Sequence, residues 1–213
     1  MTFARPMALP GLRHEDLGEA SIEQLFEAAG GLRSGHFLLK SGRHSGRYLE
    51  KFAVLQYPTL AVEIGRRLAA SLAWHDPTLV VGPTTGGVLL AFDTARQLEP
   101  LVGHQVRGIF AEPLPGEPGR RALRRGWPVS RDDRIVLVDD ILTTGASLLE
   151  TLDAVRAAGG TPLAAAVIVD RSSQPVELDI PLLSLGRIEI ESWAADACPR
   201  CAAGDALVKP GSS

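Results

Sequence analysis

Lysine is nearly absent from this chain: Lys40, Lys51 and Lys209 are the only ones, and the remaining basic charge is arginine. That scarcity bears directly on function. A phosphate-loop NTPase needs Gly-x-x-x-x-Gly-Lys-Ser/Thr between a strand and a helix. The closest approach, Gly35 through Lys40 and Ser41, has Leu39 where the second glycine must stand and reads as lying between strands. That class is excluded. Cysteine is as scarce, with Cys198 and Cys201 the only two, so no disulfide framework can be built. No apolar run approaches the length needed to cross a bilayer. The opening segment MTFARPMALPGLRHEDLG places prolines and charges where a secretory signal needs an unbroken apolar core, and a cytoplasmic location is the expectation. Excess positive charge is also lacking. A formal net charge of −3 argues against a broad nucleic-acid-binding face while leaving room for a local basic pocket.

What is present is the composition of one folded domain, or a domain with a small appendage: 213 residues, 45% hydrophobic and 22% charged. Pro6, Pro10 and Gly11 punctuate residues 1–18, which read as a poorly ordered arm. Ile22, Leu25 and Phe26 fall on one face of a short helix ended by Gly30 and Gly31. Phe37–Leu39 and Tyr48–Phe52 read as strands joined by a polar turn over 40–46. After Pro58 the residues Leu60, Ile64, Leu68 and Leu72 recur every fourth position, the stripe of a helix packed on a sheet. Strand and helix then alternate. Strands are expected at 79–81, 106–110, 134–138 and 163–169, with helices at 88–98 and 146–158. This alternation predicts an α/β fold with a mostly parallel central sheet flanked by helices. One stretch breaks the pattern: residues 112–126, EPLPGEPGRRALRRG, rich in proline, glycine and arginine, read as a functional loop or lid.

Ligands of open parallel sheets bind beyond the carboxyl ends of strands, so the loops after strands are read first. After the strand at 134–138 comes Asp139-Asp140-Ile141-Leu142-Thr143-Thr144-Gly145-Ala146-Ser147, running into a helix. Its second half supplies hydroxyls, a permissive glycine and backbone N–H groups at the positive end of a helix dipole, where a phosphate is favoured. Its first half supplies two adjacent carboxylates, which accept hydrogen bonds from vicinal hydroxyls and attract a metal or a developing cation. An ordinary acidic turn with Thr/Ser capping the next helix is the plainer alternative. The loop Gly82-Pro83-Thr84-Thr85-Gly86-Gly87 also leaves a strand and enters a helix, with residues small enough for backbone amides to approach an oxyanion.

The run from Val136 to Gly145 resembles the phosphoribosyl pyrophosphate motif of the type I phosphoribosyltransferases. Phe37 to Ser45, with Lys40-Ser41-Gly42, and Val169-Asp170-Arg171 are similar to segments of the orotate phosphoribosyltransferases. The resemblance runs from about Ser21 to the Cys-Pro-Arg-Cys segment. It implies that residues 143–147 wrap the 5-phosphate and that Asp139 and Asp140 bind the ribose hydroxyls and stabilise the transition state. It places Ile141 and Leu142 in the same phosphoribosyl pyrophosphate site, together with Lys40 and the pyrophosphate loop Thr84, Thr85 and Gly86. It assigns Tyr48, Thr143 and Arg171 to orotate, the arginine because a guanidinium forks onto a carboxylate. It also implies Mg²⁺ carried by the substrate, a homodimer, a core over 58–171, and a hood made of 19–57 and 172–213. The chain departs from the family in two places. Gly86 stands where many members carry lysine, and the mobile loop at 112–126 offers Arg120, Arg121, Arg124 and Arg125 in place of lysine and histidine. Two rivals stand beside this reading: transfer to another base such as a purine or uracil, and a regulator that senses phosphoribosyl pyrophosphate and binds nucleic acid. Lys40 and Arg171 argue against the first, and the absence of a helix-turn-helix or basic face argues against the second. Cys198 and Cys201 have the spacing of half a zinc site. With no second pair or nearby histidine evident in the sequence, they read as a tail turn without metal, a half-site closed by a partner subunit being the alternative.

Overall fold

A computed structural model describes residues 12, 14–39 and 41–210. Lys40 and most of the expected N-terminal arm lie outside the described residues. The end of that arm is structured: a 3-10 turn at His14–Asp16 is followed by buried Leu17.

Along the chain come α1 (Ile22–Ala28), β1 (Leu32–Leu38), β2 (His44–Leu49), α2 (Lys51–Leu55), α3 (Pro58–Leu72), β3 (Leu79–Pro83) and α4 (Gly86–Val102). These are followed by β4 (Arg107–Pro113), β5 (Arg121–Ala122), β6 (Ile135–Leu142), α5 (Ala146–Ala157), β7 (Pro162–Asp170), β8 (Leu182–Arg187), β9 (Ser192–Trp193) and α6 (Pro199–Ala202). The chain divides into two compact units, one formed by residues up to 54 and from 188 onward, the other by residues 55–187.

The large unit is a six-stranded sheet in the order β5-β4-β3-β6-β7-β8, parallel throughout except for the short antiparallel β5. Strands β3, β6 and β7 are apolar on both faces because helices cover both, and Leu79, Val81, Leu137, Val167 and Leu152 meet in one core. The helix α3 buries the fourfold stripe read from the sequence, Leu60, Ile64, Leu68 and Leu72. Strand β8 lies within the segment assigned above to the hood, yet it pairs with β7 from Ala165↔Leu182 to Asp170↔Arg187. Its residues are all half-buried or exposed, so it lacks the continuous apolar run that marks β3, β6 and β7 in the sequence.

The small unit holds α1 and the antiparallel sheet β1-β2-β9. Helix α1 starts with a capping box, in which Ser21 Oγ accepts from Gln24 N at 3.2 Å and Gln24 Oε1 accepts from Ser21 N at 2.8 Å. The hairpin is earlier and longer than expected: β1 begins at Leu32 and β2 at His44, while Lys51 and Phe52, read as strand, open α2. Leu32 pairs with Leu49 and Leu38 with His44, so the turn spans only 39–43.

Candidate active site

In the large unit, β3 continues through α4 to β4 on one side, whereas β6 continues through α5 to β7 on the other. The adjacent carboxyl ends of β3 and β6 therefore flank the topological switch point, where the two following loops diverge and leave a crevice. These are the two loops singled out from sequence, Thr84–Gly86 and Asp139–Ser147. Tertiary pairing brings them side by side, with Leu79↔Ile135 and Val81↔Leu137 in parallel register.

The loop after β6 leads into the N-terminus of α5. Gly145, at the N-cap of α5, has φ +79°, a left-handed conformation that other residues rarely adopt, and a Cβ there would lie 2.4 Å from Val176 Cγ1. No acidic residue occupies the first turn of α5, so nothing offsets the positive end of its dipole. Ala146 N donates weakly to Thr144 Oγ1 at 3.4 Å. A cavity of about 60 Å³ sits here, lined by Asp139, Ile141, Thr143, Thr144, Gly145 and Ser147 among others. Asp139 and Asp140 extend β6 and are only 6% and 4% exposed. Asp139 Oδ1 accepts from Asp140 N at 2.8 Å, and Asp140 Oδ1 accepts from Ile141 N at 2.7 Å, which fixes both carboxylates at the strand end.

The loop after β3 is pulled tight against the start of α4. A Cβ on Gly82 would come within 2.3 Å of Gly87 O, and one on Gly87 within 2.7 Å of Pro83 Cδ, so glycine is required on both sides of Thr84-Thr85-Gly86. The Thr84–Thr85 peptide is cis. Helix α4, like α5, has no acidic residue in its first turn.

The expected arginine loop is not an open flap in this structure. Glu112↔Ala122 and Pro113↔Arg121 pair β4 with β5. Arg121, only 12% exposed in its side chain, is a positioned residue rather than a free loop arginine. Its Nε donates to Glu150 Oε2 on α5 at 2.9 Å, and its Nη1 donates to Thr84 Oγ1 at 3.2 Å and to Ala111 O at 3.2 Å. One guanidinium thus ties together the β3 loop, the β4 end and helix α5. Arg125 pairs with Glu112 at 2.7 Å, Arg120 pairs with Glu117, and Arg124 is exposed. No sequence signal distinguished Arg121 from its neighbours, because its partners come from three separate segments.

At the end of β7, Arg171 follows Asp170, and Arg171 N donates to Leu142 O at 3.0 Å. Asp170 is held by Ser172 N at 2.8 Å, Ser172 Oγ at 2.6 Å and Arg187 Nη1 at 2.8 Å. Burial alone would raise its pKa. The Ser172 and Arg187 donors overcome that and keep its carboxyl below the usual range. A second cavity of about 310 Å³ opens here, lined by Leu142, Asp170, Ser172, Gln174, Val176 and Arg187 among others. Tyr48 belongs to the small unit, on β2, where its ring lies 5.7 Å from that of Phe37 and its hydroxyl 3.4 Å from Glu50 Oε2.

Comparison with known proteins gives this geometry a family. The model of the phosphoribosyl transferase domain matches residues 57–199. The orotate phosphoribosyltransferase of Pelotomaculum thermopropionicum is 41% identical over 191 residues, covering 90% of this chain and 96% of that protein. The chain belongs to the orotate phosphoribosyltransferase family. The family member from Acidithiobacillus ferrooxidans is 42% identical over 199 residues, with 90% and 95% of the two chains covered. Among solved structures, the orotate phosphoribosyltransferase of Aeropyrum pernix shares the fold with a TM-score of 0.64 at 24% identity, covering 78% of this chain and 93% of that one. The fold expected from strand–helix alternation is thus the fold of the family. Among the described residues no helix is long and apolar enough to cross a membrane.

Proposed function

We propose that this protein transfers the phosphoribosyl group of phosphoribosyl pyrophosphate to orotate, giving orotidine 5′-phosphate and pyrophosphate, a step in the synthesis of UMP. The observation that carries the reading is the β6–α5 loop: two fixed carboxylates lead directly into an acid-free helix N-terminus at the switch point of the sheet. A ligand with vicinal hydroxyls and a terminal phosphate matches that order of groups.

In the reaction a deprotonated ring nitrogen of orotate forms a bond to C1 of the ribose as the bond from C1 to the pyrophosphate oxygen breaks. Positive charge accumulates on the ribose, and the carboxylates of Asp139 and Asp140 stabilise it while holding the hydroxyls. The 5-phosphate rests on Thr143, Thr144, Gly145, Ala146 and Ser147. The leaving pyrophosphate is received by the amides and hydroxyls of Thr84, Thr85 and Gly86, with Lys40 as a further cation. Tyr48, Thr143 and Arg171 receive orotate, Arg171 by a fork onto its carboxylate. Asp139 and Asp140 supply hard oxygen donors compatible with Mg²⁺ carried by the substrate, and that ion would offset the charge of the leaving pyrophosphate.

The working form is a cytoplasmic homodimer. An apolar groove of about 490 Å³ between α4 and β4, lined by the exposed Phe92 and by Val106, Ile109 and Trp127 among others, supports an interface. The test is a spectrophotometric assay of orotate loss with phosphoribosyl pyrophosphate and Mg²⁺, with uracil and purine bases in parallel. Loss that needs all three components supports the assignment. Equal or faster consumption of another base overturns it.

A further inference from the structure

The structure brings together two pairs of residues that the sequence keeps far apart. Cys198 and Cys201, read from sequence as a tail turn without metal, face His36 of β1 and His44 of β2, and all four lie in the small unit. The four ligand atoms lie within 4.8 Å of one another. His36 Nε2 is 3.0 Å from His44 Nδ1 and 3.4 Å from Cys198 Sγ, while Cys201 Sγ is 3.2 Å from His44 Nδ1 and 3.7 Å from His36 Nε2.

Zn–N bonds of about 2.0–2.1 Å and Zn–S bonds of about 2.3 Å define a tetrahedron with edges of roughly 3.3 Å between nitrogens and roughly 3.6 Å between nitrogen and sulfur. The observed separations scatter around these edges. Hydrogen bonding alone satisfies the cluster poorly. His36 Nδ1 is 3.0 Å from Asp205 O, a carbonyl that can only accept, so Nδ1 carries the proton and Nε2 is left with one lone pair. That lone pair faces three groups at once, whereas a single cation at the centre takes the lone pairs of both histidines and both thiolates. The Nδ1 contact to the backbone carbonyl is also the outer-shell bond that usually orients a metal-binding histidine.

We propose that His36, His44, Cys198 and Cys201 bind one zinc ion. Two sulfurs and two nitrogens in tetrahedral array select zinc over the hard cations. All four positions are filled by protein, so the site is structural, with no vacancy for substrate or water. Its place in the fold gives it a task. Strand β2 pairs with β9 just ahead of the cysteines, and beyond them Val208 exchanges backbone bonds with His36 and Leu38 at 2.8 Å each. The ion would clamp the C-terminal segment to the turn end of the β1–β2 hairpin, closing a loop of more than 150 residues.

The test uses the full-length protein in four arms. Elemental analysis of protein purified without chelator should find about one zinc per chain. Refolding the metal-free protein with cobalt should give the intense thiolate-to-metal band of the near ultraviolet and the visible bands of a tetrahedral site, displaced by one equivalent of zinc. Cys201→Ser and His44→Ala should each lose most of the bound zinc, while His104→Ala, in the large unit, keeps it. Melting of the wild-type protein should shift downward on metal removal and return when zinc is restored. A metal content well below one per chain together with no cobalt bands on the wild-type protein overturns the proposal, as does a Cys198–Cys201 disulfide in protein kept under reducing conditions. Stoichiometric iron in place of zinc overturns the choice of ion. Because every readout is spectroscopic, compositional or thermal, failure here leaves the orotate assignment untouched, and the reverse holds as well.

Discussion

Replacing Arg121 separates two roles that a loop arginine can play in this family. If Arg121 serves only as a positive charge near pyrophosphate, lysine replaces it with little loss. If it acts as a fork that spans Glu150, Thr84 and Ala111, lysine cannot, because an ammonium presents one point of charge where the guanidinium presents a plane of donors. Arg121→Ala removes one ion pair and two well-formed hydrogen bonds. Each hydrogen bond contributes about 0.5–1.5 kcal/mol net. The ion pair is discounted, since the Glu150 side chain is 22% exposed and can recover water when its partner is gone. The sum is roughly 2 kcal/mol, and at about 2–4 °C per kcal/mol for a chain of this size the melting temperature should fall by roughly 4–8 °C. Arg121→Lys keeps the contact with Glu150 and loses the bonds to Thr84 and Ala111, which make up most of that sum, so most of that shift is expected. The β3 loop loses its tether in both variants. The KM for phosphoribosyl pyrophosphate should therefore rise in both, and alanine should raise it further. Thermal melting and steady-state orotate consumption are the assays. Lysine and alanine variants that both match the wild type in melting temperature and KM would refute the positioning role.

The remaining predictions concern the opposite loop and the acid limb of stability. Gly145→Ala should cost about 1–2 kcal/mol from the left-handed backbone alone and more from the overlap with Val176, so Gly145→Ala combined with Val176→Ala should recover only the steric part, as read by denaturant unfolding. Asp140→Asn should leave the melting temperature nearly unchanged while lowering kcat at least tenfold, about 1.4 kcal/mol of transition-state stabilisation; unchanged kcat counts against the role given to this carboxylate. Asp133 and Asp170 both titrate below their ordinary range: burial opposes this in each, but Ser130 and Arg107 hold Asp133 down, and Ser172 and Arg187 hold Asp170 down. The folded state therefore binds these protons less readily than the unfolded chain, so the stabilisation is full above the unfolded pKa of about 3.9 and is lost as pH falls through the lower folded values. Melting temperatures measured from about pH 5 to about pH 2 should fall, and Asp133→Asn should flatten the decline.

Much of the large unit was legible in the residues themselves. Helix and strand periods are local properties, so the stripe from Leu60 to Leu72 and the apolar runs at β3, β6 and β7 marked their own elements. The β6–α5 loop was legible for the same reason, since its carboxylates, hydroxyls and glycine are contiguous and do their work over nine residues. The hairpin differs from the expectation at both ends because β1 and β2 carry histidine, serine, glycine and arginine in place of an apolar alternation, and their pairing supplies what composition does not.

The sequence by itself determined which segments could become strands, helices and the turn that joins β6 to α5, because those depend on neighbours along the chain. Only the tertiary structure decided that β3 lies beside β6 and so forms the switch point, that Arg121 spans three segments, and that His36 meets Cys198 across 162 positions. Such contacts follow from how the whole chain closes on itself, and no local period or spacing records that closure.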